Sequence, residues 1–310
     1  MNGTIGLLIV GAGPAGLAAA IQAGRDGLDS ALWSDEPAGG LVRAAHRIDN
    51  LPGFAGGISG EALADRMCEQ AARFGITANR GRVISVRRSD NEYLAAILAP
   101  SGESHAIHSR CVLLATGTVP RRYPLFIQSG LDSVVHRDVR SLPTDLGRRR
   151  VAVIGGGEAA LDSALSAVDR GASVTLMARG CELKAPPRLV DEAAAAGVDV
   201  RTDTVVTAIE VDGGSAVLAL LTCGCGTRVH TDHIVLAIGR QPRVELFDGL
   251  LNSPQDRGTV ETPARGLYLA GDVIRQDDRF VAVAIGDGQR AARLASAVIR
   301  QEVESFAARD

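Results

Sequence analysis

Residues 5–10, IGLLIV, are six residues with no polar side chain among them, and they break into GAGPAG and then LAAAIQAGRDG, where alanine-rich helical spacing takes over. A run apolar on both faces predicts a strand buried inside a sheet, and the glycines predict a tight turn that opens a helix. SALWSDE at 30–36 reads as a second strand with an acidic end. EALADRMCEQAARFG at 61–75 spaces Leu63, Met67, Ala71 and Phe74 along one helical face, with Cys68 on the same helix as a small buried or half-buried thiol. From Arg82 to Ala99 apolar and polar residues alternate, which predicts a β meander closing on CVLLATG at 111–117, just before Pro120.

The stretch VAVIGGGEAALDSALSAVDRGASVTLMARG, opening at Val151, repeats the strand, glycine turn and helix of the N-terminus. Further strands follow in VVTAIEV, SAVLALLT and HIVLAIG, then GLYLAGDV and a final helix, VAVAIGDGQRAARLASAVI. LAIGR at 236–240 echoes LLATG at 113–117, as if each half closed with a similar strand. No Ser, Gly and Pro linker separates the halves. The expected fold is therefore α/β, two interlocked Rossmann-like dinucleotide-binding domains, the first discontinuous (1–117 and 244–310) and the second (118–243) inserted into it.

Each glycine turn carries its own chemistry. In GxGxxG the glycines let the backbone approach a pyrophosphate at the positive end of the following helix. Gly11, Gly13 and Gly16 satisfy the pattern, and Asp35 and Glu36 fall where a dinucleotide ribose expects a carboxylate. Gly155, Gly157 and Ala160 form the second turn, with Gly156, Glu158 and Ala159 between them. Arg179, just past the strand VTLM, is placed to take a ribose 2′-phosphate, which favours NADPH over NADH, and nearby Lys184 adds positive potential.

Composition narrows the class. The 310 residues are 46% hydrophobic with a net charge of −3, enough apolar content for real cores and no basic surplus for nucleic acid or an anionic membrane. Lys184 is the only lysine among 33 basic residues. The N-terminal apolar run lacks a cationic lead-in and is cut by glycines, so a cytoplasmic protein is expected. Five cysteines (Cys68, Cys111, Cys181, Cys223, Cys225) form no disulfide framework. Cys223, Cys225, His230 and His233 give a spacing that invites a zinc reading, but it is not a known finger spacing, and no metal is expected.

Together these motifs resemble the low-molecular-weight thioredoxin reductase family of FAD/NAD(P)H flavoproteins. GAGPAGLAAAI is similar to that family's FAD fingerprint, AGGLVRAAHRIDNLPGF to its GGQL segment, and CVLLATG, VAVIGGGEAA, IVLAIGRQP and GLYLAGDV follow in the family's order. The resemblance implies three-layer ββα domains, FAD in the first and NAD(P)H in the second. It implies FAD contacts at Gly11, Gly13, Pro14, Ala15, Gly16, Gly40, Leu41, Asn50, Val83, Ala115, Thr116, Gly117, Gly271, Asp272, Arg279, Phe280 and Val281. It also implies a homodimer, and hinges near Thr118–Pro120 and Gly239–Arg243, if any exist.

The departures bear on function. Where the reductases carry a Cys-x-x-Cys dithiol, this chain has GLDSVVHRDVRSL at 130–142, without sulfur. Neither imidazole nor guanidinium can replace a thiolate that attacks disulfides. His136 in that stretch is expected near the flavin as a catalytic proton donor or gate, with His46 a second candidate. Three functions stay open: an oxidoreductase passing electrons from NAD(P)H through FAD to a ferredoxin-like protein or a small molecule; one acting on a disulfide or thiol substrate directly at the flavin; and a flavoprotein without turnover that binds or senses. Arg137, Arg140 and Arg148 to Arg150 hint at a basic patch for an acidic carrier.

Overall fold

The computed structural model describes residues 3–127, 131–212, 215–222, 224–247, 249–251 and 260–307. The chain forms two compact units: Met1–Arg43 with Asp49–Val119 and Gln241–Asp310, and Ala44–Ile48 with Pro120–Arg240. Each follows the α/β plan.

Unit 1 opens with β1 (Ile5–Val10), whose six residues are all buried, as a strand covered on both faces requires. α1 (Pro14–Arg25) follows, then β2 (Ser30–Ser34) and α2 (Gly60–Ala72), whose Ser59 cap accepts the Ala62 N–H at 3.2 Å. β3 (Ala78–Arg80), β4 (Arg82–Ser89), β5 (Glu92–Leu98) and β6 (Ser104–Leu114) complete the first pass. The sheet order is β3-β2-β1-β6-β5-β4. β6 is the pivot: its first half runs antiparallel to β5 and its second half parallel to β1. The meander thus covers one face of the parallel strands, with Val83, Val86, Tyr93 and Ile97 packed in one core with Leu8, Val112 and Leu114.

The chain then leaves through β7 (Thr118–Pro120) into unit 2. β8 (Val135–His136), β9 (Arg150–Ile154), α3 (Glu158–Asp169), β10 (Ser173–Met177), α4 (Pro187–Ala195) and β11 (Asp199–Arg201) are followed by a three-stranded antiparallel sheet, β12 (Thr204–Asp212), β13 (Ser215–Thr222) and β14 (Cys225–Thr231). β15 (His233–Leu236) returns to the parallel sheet, whose order is β11-β10-β9-β15-β8. β16 (Arg240–Pro242) pairs with β7, so the two crossings run side by side as a ribbon. Back in unit 1, β17 (Leu267–Leu269) pairs with β6, and α5 (Val281–Ala307) packs on α1. That packing is close: a Cβ on Gly288 would stand 2.0 Å from the Ala15 carbonyl oxygen.

One local expectation changes. α2 ends at Ala72, so Phe74 is not on its apolar face but 42% exposed, beside Gly24 at the end of α1.

Candidate functional site

In unit 1, β1 delivers the chain to Gly11, whose φ of +103° is a conformation that a side chain would oppose. The Gly11 N–H donates to the Trp33 carbonyl at 2.8 Å. A Cβ on Gly16 would stand 1.8 Å from the Gly11 oxygen, so the third glycine is what lets α1 lie against the turn. Gly13 differs, since nothing lies within 4 Å of where its Cβ would be. It is the N-cap of α1, offers no side-chain cap, and is followed by Pro14, so the first helical N–H groups face that open side.

Two further segments close around this helix end. The Gly39 N–H donates to the Ala12 carbonyl at 2.7 Å, and a Cβ on Gly40 would come 3.1 Å from the Gly13 Cα, so the turn leading into Leu41 lies across the fingerprint. Gly271 approaches from the other side, where its Cβ would be 2.9 Å from the Ala15 Cβ. Its N–H donates to Asp287 Oδ2 at 3.2 Å, and Arg275 holds the same carboxylate with Nε at 3.1 Å and Nη2 at 2.6 Å. Asp287, only 6% exposed, therefore pins the Gly271–Asp272 turn to α5. Arg279, Phe280 and Val281 lead into α5, with the Phe280 carbonyl accepting the Ala284 N–H. Asn50 is exposed, and the Val83 side chain belongs to the meander core.

Asp35 follows directly on β2 and is gripped by a guanidinium: Arg243 Nη1 to Oδ1 at 3.2 Å and Nη2 to Oδ2 at 2.5 Å. Burial pushes this carboxyl up, but the Arg243 hydrogen bonds and charge outweigh it and hold Asp35 below the usual range. Arg243 is itself fixed, its N–H donating to the Gly117 carbonyl at 3.0 Å and its carbonyl accepting the Thr116 hydroxyl at 2.7 Å. The Ala115–Gly117 turn and Asp35 thus share one partner. Glu36, also a ribose candidate, is exposed. A glycine cradle at an uncapped helix end beside an ionised carboxylate suits the pyrophosphate and ribose of a dinucleotide such as FAD.

In unit 2 the second turn repeats the backbone logic. Gly155, with φ of +149°, follows β9, and a Cβ there would stand 2.2 Å from the Ala237 oxygen. Ala160 is fully buried in the α3 contact. Gly156 accepts the Lys184 N–H at 2.6 Å, which brings the Lys184 segment beside Gly157 in a parallel bridge. Glu158, Ala159, Arg179 and Lys184 are exposed, and Arg179 makes no hydrogen bond or ion pair among the described residues. Gly239, with φ of +96°, accepts the Arg121 N–H as the chain turns toward β16.

His136 is packed inside unit 2. It lies buried on β8, its Nδ1 3.0 Å from Ser141 Oγ and its Nε2 3.1 Å from His233 Nδ1. Because the Ser141 hydroxyl donates to the Asp138 carbonyl, it accepts from His136 Nδ1–H, so Nε2 accepts from His233. Burial, then the His233 charge, push His136 down and keep it neutral. Both ring nitrogens are thus occupied within the unit. The Arg cluster is also partly neutralised, since Arg140 pairs with Asp138 at 2.7 Å and Arg150 with Asp232 at 2.8 Å. Cys223 lies outside the described residues, Cys225 and His230 are exposed on β14, and no cluster of three metal-ligating side chains occurs among the described residues. His46 Nε2 lies 3.6 Å from Asp169. Among the described residues no helix is long and apolar enough to cross a membrane.

Asp287, Arg275 and Arg243 were missed by motif reading. A lone charge between two glycines in VAVAIGDGQ was the available signal for Asp287.

The profile of the pyridine nucleotide-disulphide oxidoreductase family matches residues 6–293. The bifunctional thioredoxin reductase/thioredoxin of Mycobacterium leprae is 30% identical over 92% of this chain, which spans 64% of that longer protein. A 34.2 kDa protein in the rubredoxin operon of Clostridium pasteurianum is 29% identical over 94% of this chain and 96% of its own. The solved thioredoxin reductase of T. acidophilum superposes with a TM-score of 0.83 at 25% identity, over 95% of this chain and 98% of its own. The chain belongs to the pyridine nucleotide-disulphide oxidoreductase family and is an NAD(P)H-dependent FAD oxidoreductase of thioredoxin reductase-like build.

Proposed function

We propose that unit 1 holds FAD, unit 2 holds NADPH, and electrons leave the flavin for an external acceptor without passing through a dithiol of this chain. FAD when bound supplies a ring that accepts hydride and releases electrons singly or in pairs. The turns at 11–16, 40–41, 115–117 and 271–272 bind and orient it, with backbone N–H groups facing the pyrophosphate. The turn at 155–160 does the same for the nicotinamide cofactor, and Arg179 and Lys184 offer the positive charge that suits a 2′-phosphate; NADH, which lacks it, is the weaker donor.

The observation that carries this reading is the state of the thiols. No two cysteines stand in a Cys-x-x-Cys spacing. Burial pushes Cys68 up and Cys111 up to about 12, so neither is a poised thiolate. A small redox protein, ferredoxin-like, is the favoured acceptor, and the relative named for a rubredoxin operon supports that class. The second reading, a disulfide substrate reduced directly at the flavin, is favoured by the reductases among the relatives. A homodimer belongs to the same proposal and is checked by sedimentation.

Anaerobic stopped-flow mixing with NADPH and then NADH, followed by carrier proteins, disulfides and O₂, tests it. Flavin bleaching by NADPH and reoxidation by an iron–sulfur carrier is the expected result. Reoxidation only by disulfides selects the second reading, and no bleaching by either nucleotide overturns both.

A further inference from the structure

We propose that Phe280 flanks the flavin ring, lying against it and shielding it from small solutes, so that electrons are kept for a docked acceptor. The proposal rests on unit 1 being the FAD unit.

Four strands of unit 1 end along one edge in the order β2, β1, β6, β17, because Val10 is level with Trp33 on one side and Leu114 on the other, and Leu114 is level with Leu269. Asp35, the Gly11 turn, the Ala115–Gly117 turn and Gly271 follow one another along that edge. With the pyrophosphate at Gly13 and the adenosine ribose at Asp35, the flavin half of the dinucleotide runs the other way, toward β17 and α5. There α5 descends past the sheet. A Cβ on Gly288 would meet Ala15, the second residue of α1, and one on Gly6, near the start of β1, would meet Ile299. Residues 281–287 therefore stand beyond the start of α1 by about 10 Å, at roughly 1.5 Å per residue, beside the open side that Gly13 faces. Phe280 is at the tip of that overhang.

The segment that carries Phe280 is tied down along its length. The Ile274 N–H donates to the Gly271 carbonyl at 3.0 Å, and the Arg275 N–H to the Asp272 carbonyl at 3.3 Å. The Arg275 side chain is forked onto Asp287, and its carbonyl accepts Arg279 Nε at 3.0 Å. The Arg279 N–H donates to the Asp277 carbonyl, and the Phe280 carbonyl accepts the Ala284 N–H, both at 3.0 Å. The ring itself is 44% exposed and has no aromatic neighbour among the described residues. An apolar ring held in place and left uncovered suits a flat aromatic partner, and such pairs stack with centres about 4.5–7 Å apart. The same cover would screen reduced flavin from O₂, which becomes hydrogen peroxide by taking two electrons and two protons.

FAD-loaded protein freed of unbound flavin tests this through flavin fluorescence, its quenching by iodide, and oxidation by O₂ after anaerobic reduction. Phe280→Ala should raise all three by about threefold or more, the loss of one stacked pair. Phe280→Leu, which keeps bulk without an aromatic face, should also brighten the flavin, and Phe280→Trp should dim it and restore the screen. Arg275→Lys keeps a charge beside Asp287 but loses the fork, so it should brighten the flavin less than Phe280→Ala does and add nothing in the double variant. Fluorescence, iodide quenching and O₂ rate that ignore the Ala, Leu and Trp replacements overturn the proposal. So does an effect confined to sedimentation, which would make the ring a contact between copies of the chain. Wild-type apoprotein that takes up no FAD overturns the FAD reading itself, and this proposal with it.

Discussion

The two glycine turns start from the same backbone geometry and diverge in everything around it. The turn at Gly11 is enclosed by glycine-only approaches from the 39–40 and 271 segments and backed by two ion pairs, Asp35 with Arg243 and Asp287 with Arg275. The turn at Gly155 has exposed residues along its helix start, and its cations Arg179 and Lys184 are exposed too. α3 also begins with an acidic residue, Glu158, where α1 has none. A carboxylate there suits the helix end and repels a phosphate. Groups already paired and ordered lower the entropic cost of binding, whereas exposed flexible cations must be ordered each time. That contrast is what the proposed assignment, a resident cofactor in unit 1 and an exchanging one in unit 2, requires.

That contrast breaks first at Gly16. Gly16→Ala sets a methyl against the Gly11 oxygen and should yield protein with less than about a tenth of the normal flavin content, whereas Gly157→Ala in unit 2, where only the Lys184 oxygen comes within 4 Å, should fold and keep flavin and weaken NADPH by about tenfold, its methyl standing where the cofactor's pyrophosphate is proposed to approach. The ratio of flavin to protein absorbance reads the first, and a binding titration the second.

Next comes Asp287→Ala, which leaves Arg275 and the Gly271 N–H without their buried acceptor. A loss of about 3–5 kcal/mol is expected in chemical denaturation followed by flavin release. Were the loss nearer that of a surface pair, about 1 kcal/mol or less, unit 1 would not be the preassembled site described above.

In unit 2 the effects are smaller and fall on turnover. Arg179→Ala should lower kcat/KM for NADPH by about tenfold and leave NADH nearly unchanged, because only the first carries the 2′-phosphate. Equal losses with both nucleotides would remove Arg179 from that role.

The smallest effect concerns the histidine pair. His136 and His233 are both held below their ordinary value of 6.5, burial being the first cause for each. The unfolded chain therefore binds more protons than the folded one just below that value, so their contribution is complete above pH 6.5 and declines as acid is added. A Tm that falls by a few degrees between about pH 7 and pH 5, and falls less in His136→Gln, is the expected result. Flavin bleaching by NADPH in His136→Gln should stay close to the wild-type rate, which separates the packed ring from a proton donor.

How much of this could be read from the sequence follows from the range of the interactions. The strands, turns and helices of both fingerprints were legible because glycine spacing and apolar runs are local. So were β12 and β13, from their apolar runs, but not β14, whose residues CGTRVHT carry no such run. Phe74 was misplaced because helical periodicity does not mark where a helix stops, and Phe74 and Gly75 lie past the end of α2. The partner of Asp35 lies 208 positions away, and nothing in a chain so rich in arginine singles out Arg243. The neighbour of His136, His233, lies 97 positions away on β15, out of reach of any local pattern. Local rules give the cradle, and only the folded chain gives the charge pairs that stiffen it.

The β7–β16 ribbon has an evolutionary reading. Because the outgoing and returning strands are hydrogen-bonded neighbours, the stretch between them leaves and rejoins unit 1 at one place, and only Ala44–Ile48 of unit 2 lies outside it. Hybrids joined at Pro120 and Arg240, with the 44–48 stretch exchanged alongside, would swap the unit proposed to hold the nicotinamide cofactor and keep the unit proposed to hold FAD.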